Sequence, residues 1–178
     1  MQLCPDENLM LAAGCGDVQA FEQIVLRHQA FAWSIAYRFV GNREDAEDLV
    51  QDAFLRLLAA APRYRPTASF RTYFSRIISR LCLDHIQKKR PSASDELPEC
   101  EDPNPLPDNV VVSEEEALAV RRSVDMLPPN QRLVIILRYY EDYSYREIAA
   151  AMDTTEKAVE RLLARGRQSL GNSLKHWG

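Results

Sequence analysis

The chain has 178 residues, 46% of them hydrophobic and 27% charged, which is typical of a soluble globular protein with one or two domains. No stretch approaches the roughly 20 apolar residues that a bilayer span needs. The N-terminus lacks the basic start and apolar run of a secretory signal, so we expect a cytoplasmic protein. The net charge of -4 hides two opposed blocks: residues 62–90 carry eight Lys and Arg against one Asp, whereas residues 91–116 carry nine acids and no base.

Four cysteines are scattered along the chain without a C-x-x-C pair, which favours free thiols in a reducing compartment. The alternative is a redox or metal sensor built from Cys4, Cys15 and Cys100. The three histidines are isolated and there is no glycine-rich phosphate loop, so we expect neither an enzyme nor a bound cofactor or metal.

Only six glycines and several long amphipathic runs predict an all-α fold. The first part of the chain should form four helices: residues 6–13, a helix capped by Asp17, a third capped by Asn42 and ending near residue 61, and a fourth that starts at Thr67 or Ser69 and ends near residue 89. Residues 91–112 hold five prolines and few apolar side chains, which indicates an extended, flexible acidic linker. We therefore expect two small helical domains, residues 1–90 and 113–178.

The second part opens with a helix over residues 113–126 and another that begins at Pro128-Pro129. Two short helices then follow, capped by Ser144 and Thr155 and joined by a turn at residues 153–154. On the second of these, the apolar residues Val159, Leu162, Leu163 and Leu170 form one stripe at helical spacing. This arrangement is a helix-turn-helix.

The outer face of the last helix is polar and basic. It carries Lys157, Glu160, Arg161, Ala164 and Arg165. A helix that packs through an apolar stripe and is basic on its outer face fits the major groove of DNA. The alternative is the solvated face of an ordinary helical bundle.

Four motifs in one order resemble the extracytoplasmic-function (ECF) sigma factors of the sigma-70 superfamily. They are Asp45-Ala-Glu-Asp-Leu-Val-Gln-Asp-Ala-Phe54, the segment Phe70-Arg-Thr-Tyr-Phe-Ser-Arg-Ile77 with its basic continuation to Arg90, Leu127-Pro-Pro-Asn-Gln-Arg-Leu-Val-Ile-Ile-Leu-Arg-Tyr-Tyr140, and the helix-turn-helix. The resemblance runs from about Asp17 to Leu170. It implies that the first domain is sigma region 2 and the second is sigma region 4.

The first motif would bind a coiled coil of core RNA polymerase. The resemblance implies contacts from Asp48, Leu49, Gln51 and Asp52. An acidic helix face suits a basic protein partner and does not favour DNA. The alternative is a solvated face whose first acids stabilise the helix dipole.

The second motif mixes arginines with aromatic rings, which is what capture of an unstacked DNA strand requires. The resemblance implies recognition of the non-template strand of the minus-10 element by Arg63, Tyr64, Arg65, Ser69, Arg71, Tyr73, Arg76 and Arg80. Tyr64, Arg65 and Ser69 would line a base pocket. Phe70, Phe74 and Ile77 have the spacing of core residues instead. The family often has tryptophan at Tyr73 and asparagine at Arg80, which leaves the preferred downstream sequence open.

In the helix-turn-helix, the resemblance implies recognition of the minus-35 element. We assign Arg161 and Arg165 to bases, and Thr155, Lys157 and Arg167 to phosphates. Glu160 would accept a hydrogen bond from a cytosine amino group or pair with Lys157 or Arg161.

The resemblance implies three partners: core RNA polymerase, promoter DNA, and an anti-sigma factor, often membrane-anchored, that clamps both domains. The acidic linker would thread the RNA channel of the polymerase or serve as a passive tether. The main rival function is a stand-alone dimeric helix-turn-helix regulator, which would leave the acidic helix and the aromatic-basic segment without roles. A third is a protein-only adaptor or sensor, which would have no affinity for DNA.

Overall fold

The computed structural model describes the backbone of residues 4–89 and 114–174 and the side chains of residues 4–88 and 118–173. Within these ranges it is all-α, as the sequence predicts. The helices are α1 (Asp6–Gly14), α2 (Val18–Val40), α3 (Arg43–Ala60), α4 (Phe70–Lys89), α5 (Glu114–Asp125), α6 (Pro129–Tyr139), α7 (Tyr145–Ala151) and α8 (Glu156–Leu174), with a 3-10 turn at Ala61–Arg63. The linker predicted at residues 91–112 lies outside the described residues.

Polar caps begin the helices where the sequence places them. The Asp17 carboxylate accepts from the amide of Ala20 at 3.0 Å, and the Asn42 side chain accepts from the amide of Asp45 at 2.8 Å. The Ser69 hydroxyl accepts from the amide of Thr72 at 3.2 Å, so Ser69 rather than Thr67 caps α4. Each cap satisfies a backbone donor that the first helical turn leaves free.

The N-terminal unit (residues 4–89) packs α2, α3 and α4 around an aromatic and aliphatic core. Ile35, Phe39, Leu57, Phe70 and Phe74 are all fully buried or within 1% of it. Phe70 and Phe74 are therefore core residues, and on the next turn Ile78 is buried while Ile77 is only half-buried. This packing leaves one face of α3 and one face of α4 exposed.

Helix α1 braces the start of α4. The Glu7 carboxylate accepts from the amide of Phe70 at 2.8 Å, adding a negative group at the positive end of α4. Asp6 binds Arg27 and His28, both at 2.8 Å. Gly14 lies so close to the turn before α4 that an added Cβ would stand 2.5 Å from the carbonyl oxygen of Ala61.

The C-terminal unit (residues 114–174) buries α6 between the other helices. Leu133, Ile136 and Leu137 are fully buried, and Pro129 occupies the first turn of α6 as predicted. Gly166 lets α8 approach α6, because a Cβ there would meet the Ile135 side chain at 3.1 Å. The α7–α8 pair has the helix-turn-helix arrangement that the sequence predicts.

The two units share one continuous hydrophobic core. Helix α6 packs on α2 and α4, and α7 packs on α4. Two arginines of the C-terminal unit also bind the end of α2: Arg132 donates to the carbonyl of Phe39 at 2.7 Å, and Arg121 donates to the carbonyl of Gly41 at 3.3 Å. Carbonyls of a last helical turn lack partners within their own helix, and cations there are favourable. We call this contact between the units the joint.

Candidate nucleic-acid and polymerase interfaces

The outer face of α8 is as open as the sequence predicts. Lys157, Glu160, Arg161, Ala164 and Arg165 are exposed there, while Val159 and Leu163 are buried on the opposite side. The apolar side holds α8 against α6 and α7, so its basic side projects into solvent. A single helix thus presents two arginines one turn apart on a surface without cover from the described residues.

The structure also defines the surroundings of Thr155, Glu160 and Arg167 at this helix. The Thr155 hydroxyl caps α8 by accepting from the amide of Ala158 at 3.2 Å. Arg167 is exposed but lies about a third of a turn away from Arg161, on the flank of the helix. Glu160 has no ion pair with any residue of the described ranges, so its pairing with Lys157 or Arg161 is not present in this structure.

On the α4 surface, Arg63, Arg65 and Arg80 are exposed, whereas Tyr64 is buried. The resemblance placed Tyr64 in a base pocket, but its ring is only 6% exposed and packs edge-on against Tyr73 at a centroid distance of 5.0 Å. Burial, together with the nearby Glu7 carboxylate, raises the pKa of Tyr64 to about 12. Tyr64 therefore does not line an open pocket in this structure.

Ser69 is also committed to local structure. Its hydroxyl caps α4 and lies 2.9 Å from the Thr72 hydroxyl. Ser69 is nevertheless exposed at the N-terminal end of α4, where the helix dipole favours an anion. The pocket that the resemblance implies therefore has its arginine and serine accessible and its tyrosine covered.

Arg71 and Arg76 differ from the other arginines of this surface because carboxylates of the C-terminal unit bind them. Arg71 donates to Glu141 at 2.9 Å, and Arg76 donates to Asp153 at 2.9 Å. No local sequence pattern predicts these pairs, since the partners are 70 and 77 residues apart. Glu141 is only 8% exposed, and this burial follows from tertiary packing and not from the local sequence.

A shallow groove between α3 and α4 brings together all four residues assigned to polymerase binding. Asp48, Gln51 and Asp52 are exposed along its α3 edge, while Leu49 is 7% exposed and belongs to the hydrophobic core as well. The α4 edge adds residues that the sequence argument missed, namely Leu81, Asp84, His85 and Lys88. Leu55, 58% exposed on α3, gives the groove an apolar contact of its own.

Other kinds of site are not found in the described parts of the chain. Residues 4–89 and 114–174 contain no group of three or more His, Cys, Asp or Glu side chains placed to hold a metal. In the same ranges, none of the helices combines the length and apolarity that crossing a membrane demands. Cys4 and Cys15 are exposed free thiols, and Cys82 is buried.

Comparison with known proteins identifies the family. Residues 24–91 match the family model of sigma-70 region 2, and residues 117–170 match that of sigma-70 region 4. The ECF RNA polymerase sigma-E factor of Escherichia coli is 32% identical over 181 residues, covering 96% of this chain and 94% of that protein. The chain belongs to the ECF sigma factor family.

Two further similarities support that family. The ECF sigma factor SigE of Mycolicibacterium smegmatis is 32% identical over 164 residues, and the match spans 88% of this chain but 63% of that longer protein. The solved structure of CnrH in complex with the cytosolic domain of CnrY has a TM-score of 0.73 and 26% identity, covering 96% of this chain and 97% of that one. Helix α1 of this sigma factor precedes the region 2 match, although it packs directly on region 2.

As a member of this family, the chain is an alternative sigma factor: it binds core RNA polymerase and directs it to promoters. The stand-alone dimeric regulator is not favoured, because such a protein would have no use for a region 2 that occupies 68 residues of the chain. The region 2 match contains α3 and α4, and the region 4 match contains α7 and α8 as far as residue 170.

Proposed function

We propose that three surfaces of this sigma factor divide the work of promoter recognition. The α3–α4 groove binds core RNA polymerase, the α4 surface holds the opened minus-10 strand, and the outer face of α8 reads the minus-35 duplex. The observation that carries this assignment is the order and spacing of the three surfaces within matches to both sigma regions.

The α3–α4 groove suits a basic helical partner. Asp48 and Asp52 place negative charge on its rim, where Arg56 lies 3.6 Å from Asp52. Leu55 supplies an exposed apolar contact near the C-terminal end of α3. A protein interface of this kind combines a small apolar centre with a charged rim that orients the partner. The coiled coil of the polymerase is the partner that the family resemblance supplies.

The α4 surface holds the minus-10 element as a single strand. Arg63, Arg65 and Arg80 are exposed cations that neutralise phosphates, while Tyr73 offers a half-buried ring for base stacking. The sigma factor needs no catalytic group for strand opening, because binding energy on the opened strand offsets the cost of unstacking, a few kcal/mol per base. The chain is accordingly a regulator of initiation and not an enzyme.

The outer face of α8 reads the minus-35 element as a duplex. Arg161 and Arg165 bind base edges in the major groove, and Lys157, Thr155 and Arg167 bind phosphates on either side. Ala164 lies between the two arginines and provides a small apolar contact. Glu160, exposed and without an ion pair to a described residue, is free to accept from a cytosine amino group.

An anti-sigma factor is the third partner of this sigma factor. The sigma factor itself acts in the cytoplasm. The support is the similar structure of CnrH, which is held in a complex with the cytosolic domain of CnrY. Such a partner would clamp both units, and a membrane anchor on it would couple promoter choice to events outside the cell. Residues 91–112 would connect the two units as an acidic tether.

Reconstituted transcription tests the proposal. The purified chain is mixed with core RNA polymerase and fragmented genomic DNA, and transcript start sites are mapped. The matched control carries Arg161→Ala and Arg165→Ala, which leave the α3–α4 groove intact. With the unaltered chain, we expect start sites that are preceded by common minus-10 and minus-35 sequences. With the control, we expect those start sites to be lost.

Size-exclusion chromatography separates the proposal from the rival regulator. The proposed sigma factor co-elutes with core polymerase and is monomeric without it. A dimer that ignores the polymerase and binds a two-fold symmetric DNA site would refute the proposal.

A further inference from the structure

Two carboxylates of the C-terminal unit bind arginines of the α4 surface. Glu141 lies 2.9 Å from a guanidinium nitrogen of Arg71, and Asp153 lies 2.9 Å from one of Arg76. Both arginines belong to α4, and both carboxylates lie in turns that flank α7. A carboxylate and a phosphate present the same kind of oxygen pair to arginine, so one excludes the other.

The Glu141 contact is built more firmly than an ordinary surface pair. The Glu141 side chain is only 6% exposed, and its second oxygen accepts from the Ser34 hydroxyl at 2.6 Å. Tyr143 donates its hydroxyl to the carbonyl of Arg71 at 3.0 Å, and burial raises the pKa of Tyr143 to about 12. Residues from α2, α4 and the α6–α7 turn therefore meet at one carboxylate.

Aromatic rings hold the Arg71 guanidinium in the same place. It lies 4.5 Å from the centroid of the Phe31 ring and 5.5 Å from that of Tyr143, distances at which a cation is attracted to a ring face. Arg71 nevertheless remains 49% exposed and Arg76 54% exposed. A strand can therefore approach both guanidiniums while the carboxylates are still in place.

We propose that the C-terminal unit is an intramolecular competitor of the minus-10 strand, with Glu141 and Asp153 as stand-ins for its phosphates. In the free chain the joint is closed and the two central arginines of α4 are occupied. Stable strand binding separates the α6–α7 turn and α7 from α4. This inference rests on the proposed role of α4 in strand binding.

The exposed arginines explain how such a competition would begin. Arg63, Arg65 and Arg80 make no ion pair with residues in the described ranges and are open to a strand in the closed state. A strand bound there raises the local phosphate concentration near Arg71 and Arg76. The strand can then replace Glu141 and Asp153 one at a time, so neither Arg71 nor Arg76 has to lose its carboxylate before a phosphate is near.

A fluorescence-transfer experiment reads the joint directly. Dyes are placed on Cys15 and on an introduced Asn172→Cys, in a chain whose Cys4 and Cys100 are replaced by serine. Both labelled positions are exposed, and they lie in different units. The probe is a 20-nucleotide single strand of mixed sequence, added with and without core polymerase; we expect energy transfer to fall as the strand binds.

The competition is tested by removing the two negative charges without removing the side chains. In the double variant Glu141→Gln with Asp153→Asn, we expect lower energy transfer in the free chain. Strand affinity, measured by fluorescence anisotropy, should rise about tenfold, since each partly exposed pair contributes at most about a fivefold change. Asparagine suits position 153 because Asp153 has a φ of 56°, a left-handed angle that asparagine tolerates.

The matched control removes the same charge elsewhere. Asp142→Asn with Glu22→Gln alters two exposed carboxylates that have no part in the joint's ion pairs, one of them next to Glu141. We expect this control to leave energy transfer unchanged. Because it removes the same number of negative charges, any gain in its strand affinity measures the effect of net charge alone.

Two results would overturn the inference: strand binding to the unaltered chain with no change in energy transfer, or equal strand affinity of the double variant and the control. Failure of every variant to bind the strand, even with core polymerase present, would instead refute the role of α4 in strand binding, and the competition with it. The separate patterns make the two failures distinguishable.

Discussion

Arg165 and Arg167 are both exposed on α8 but point to different sides of the helix. If Arg165 binds a base edge as proposed, its replacement by alanine should cost about 1–3 kcal/mol of discrimination at one position of the minus-35 element. Competition binding of the reconstituted polymerase to single-base promoter variants measures it.

Arg167→Ala is the companion variant for that experiment. We expect it to weaken binding to all promoter variants alike and to reduce the dependence on salt, as loss of a phosphate contact does. The same uniform loss from Arg165→Ala would move Arg165 from the bases to the backbone.

The capping box of α7 is a second feature of single residues. The Glu147 carboxylate accepts from the amide of Ser144 at 2.8 Å and from its hydroxyl at 2.7 Å, while the amide of Glu147 donates back to the Ser144 hydroxyl at 3.3 Å. The hydrogen bonds from Ser144 hold the pKa of Glu147 below its ordinary value of 4.5. Ser144→Ala should therefore destabilise the C-terminal unit by about 1 kcal/mol.

The sign of the pH dependence follows from that lowered pKa. Because the folded state favours the charged form of Glu147, its contribution to stability is complete above about pH 4.5 and is lost as the pH falls through the folded-state pKa. The difference in unfolding free energy between the unaltered chain and Glu147→Gln should shrink between pH 7 and pH 4. Glu22→Gln, at an exposed position of α2, should show no comparable change; denaturant titrations measure both.

Helix α1 precedes the region 2 match and supports the start of α4. Gly14 lies against the Ala61 carbonyl, and the Glu7 carboxylate accepts from the amide of Phe70 at the start of α4. Gly14→Ala should destabilise the N-terminal unit by about 1–3 kcal/mol, because the new methyl group would overlap backbone that cannot move freely. Thermal or denaturant unfolding measures the loss.

Gly171→Ala is the matched control for that substitution. It is also a helical glycine, but nothing lies within 4 Å of its added Cβ. We expect it to stabilise the chain by about 0.5–1 kcal/mol, the usual difference between glycine and alanine in a helix. A stabilising Gly14→Ala would show that α1 can shift away from the turn at little cost.

Helix α3 gives the prediction for polymerase binding. Asp48→Arg together with Gln51→Ala reverses a charge and removes a polar contact on the rim of the α3–α4 groove. Both side chains are exposed, so the fold should persist while association with core polymerase in a pull-down is lost. Glu22→Arg on α2 is the control, and undiminished association of the double variant would remove this face from the interface.

Local sequence signals account for the helices and not for the joint. The caps at Asp17, Asn42 and Ser144 were predictable because each acts within three residues of its own chain position. The outer face of α8 was predictable from helical spacing alone. The surface positions of Asp48, Gln51 and Asp52 followed from the same periodicity.

The joint was not predictable in this way, because its contacts connect residues 70 to 107 positions apart. Tyr64 illustrates the same point: its local context is a basic loop, yet the packing of α1, α4 and Tyr73 buries its ring. Composition indicated two domains and a tether, and nothing in the local pattern indicated that Glu141 would be buried beside Arg71.

The buried thiol of Cys82 offers a test of the cooperative core. Cys82 is fully buried, and burial raises its pKa to about 12, whereas Cys4 and Cys15 are exposed. A thiol reagent at pH 8 should modify Cys4 and Cys15 within minutes and leave Cys82 unmodified until the N-terminal unit unfolds. Mass spectrometry of timed samples distinguishes the sites, and early modification of Cys82 would contradict the packing of α4 on the core.

Arg132 binds the protein backbone at both sides of the joint: its guanidinium donates to the carbonyls of Phe39 and Asp125, and burial lowers its pKa. Every residue has a carbonyl, so the side chains at positions 39 and 125 can vary without breaking these hydrogen bonds. Arginine itself cannot be exchanged for lysine, whose single ammonium group lacks the planar fork. A chimera that joins the first half of this protein to the second half of a relative should therefore retain the native docking geometry only where the donor sequence also has arginine at this position.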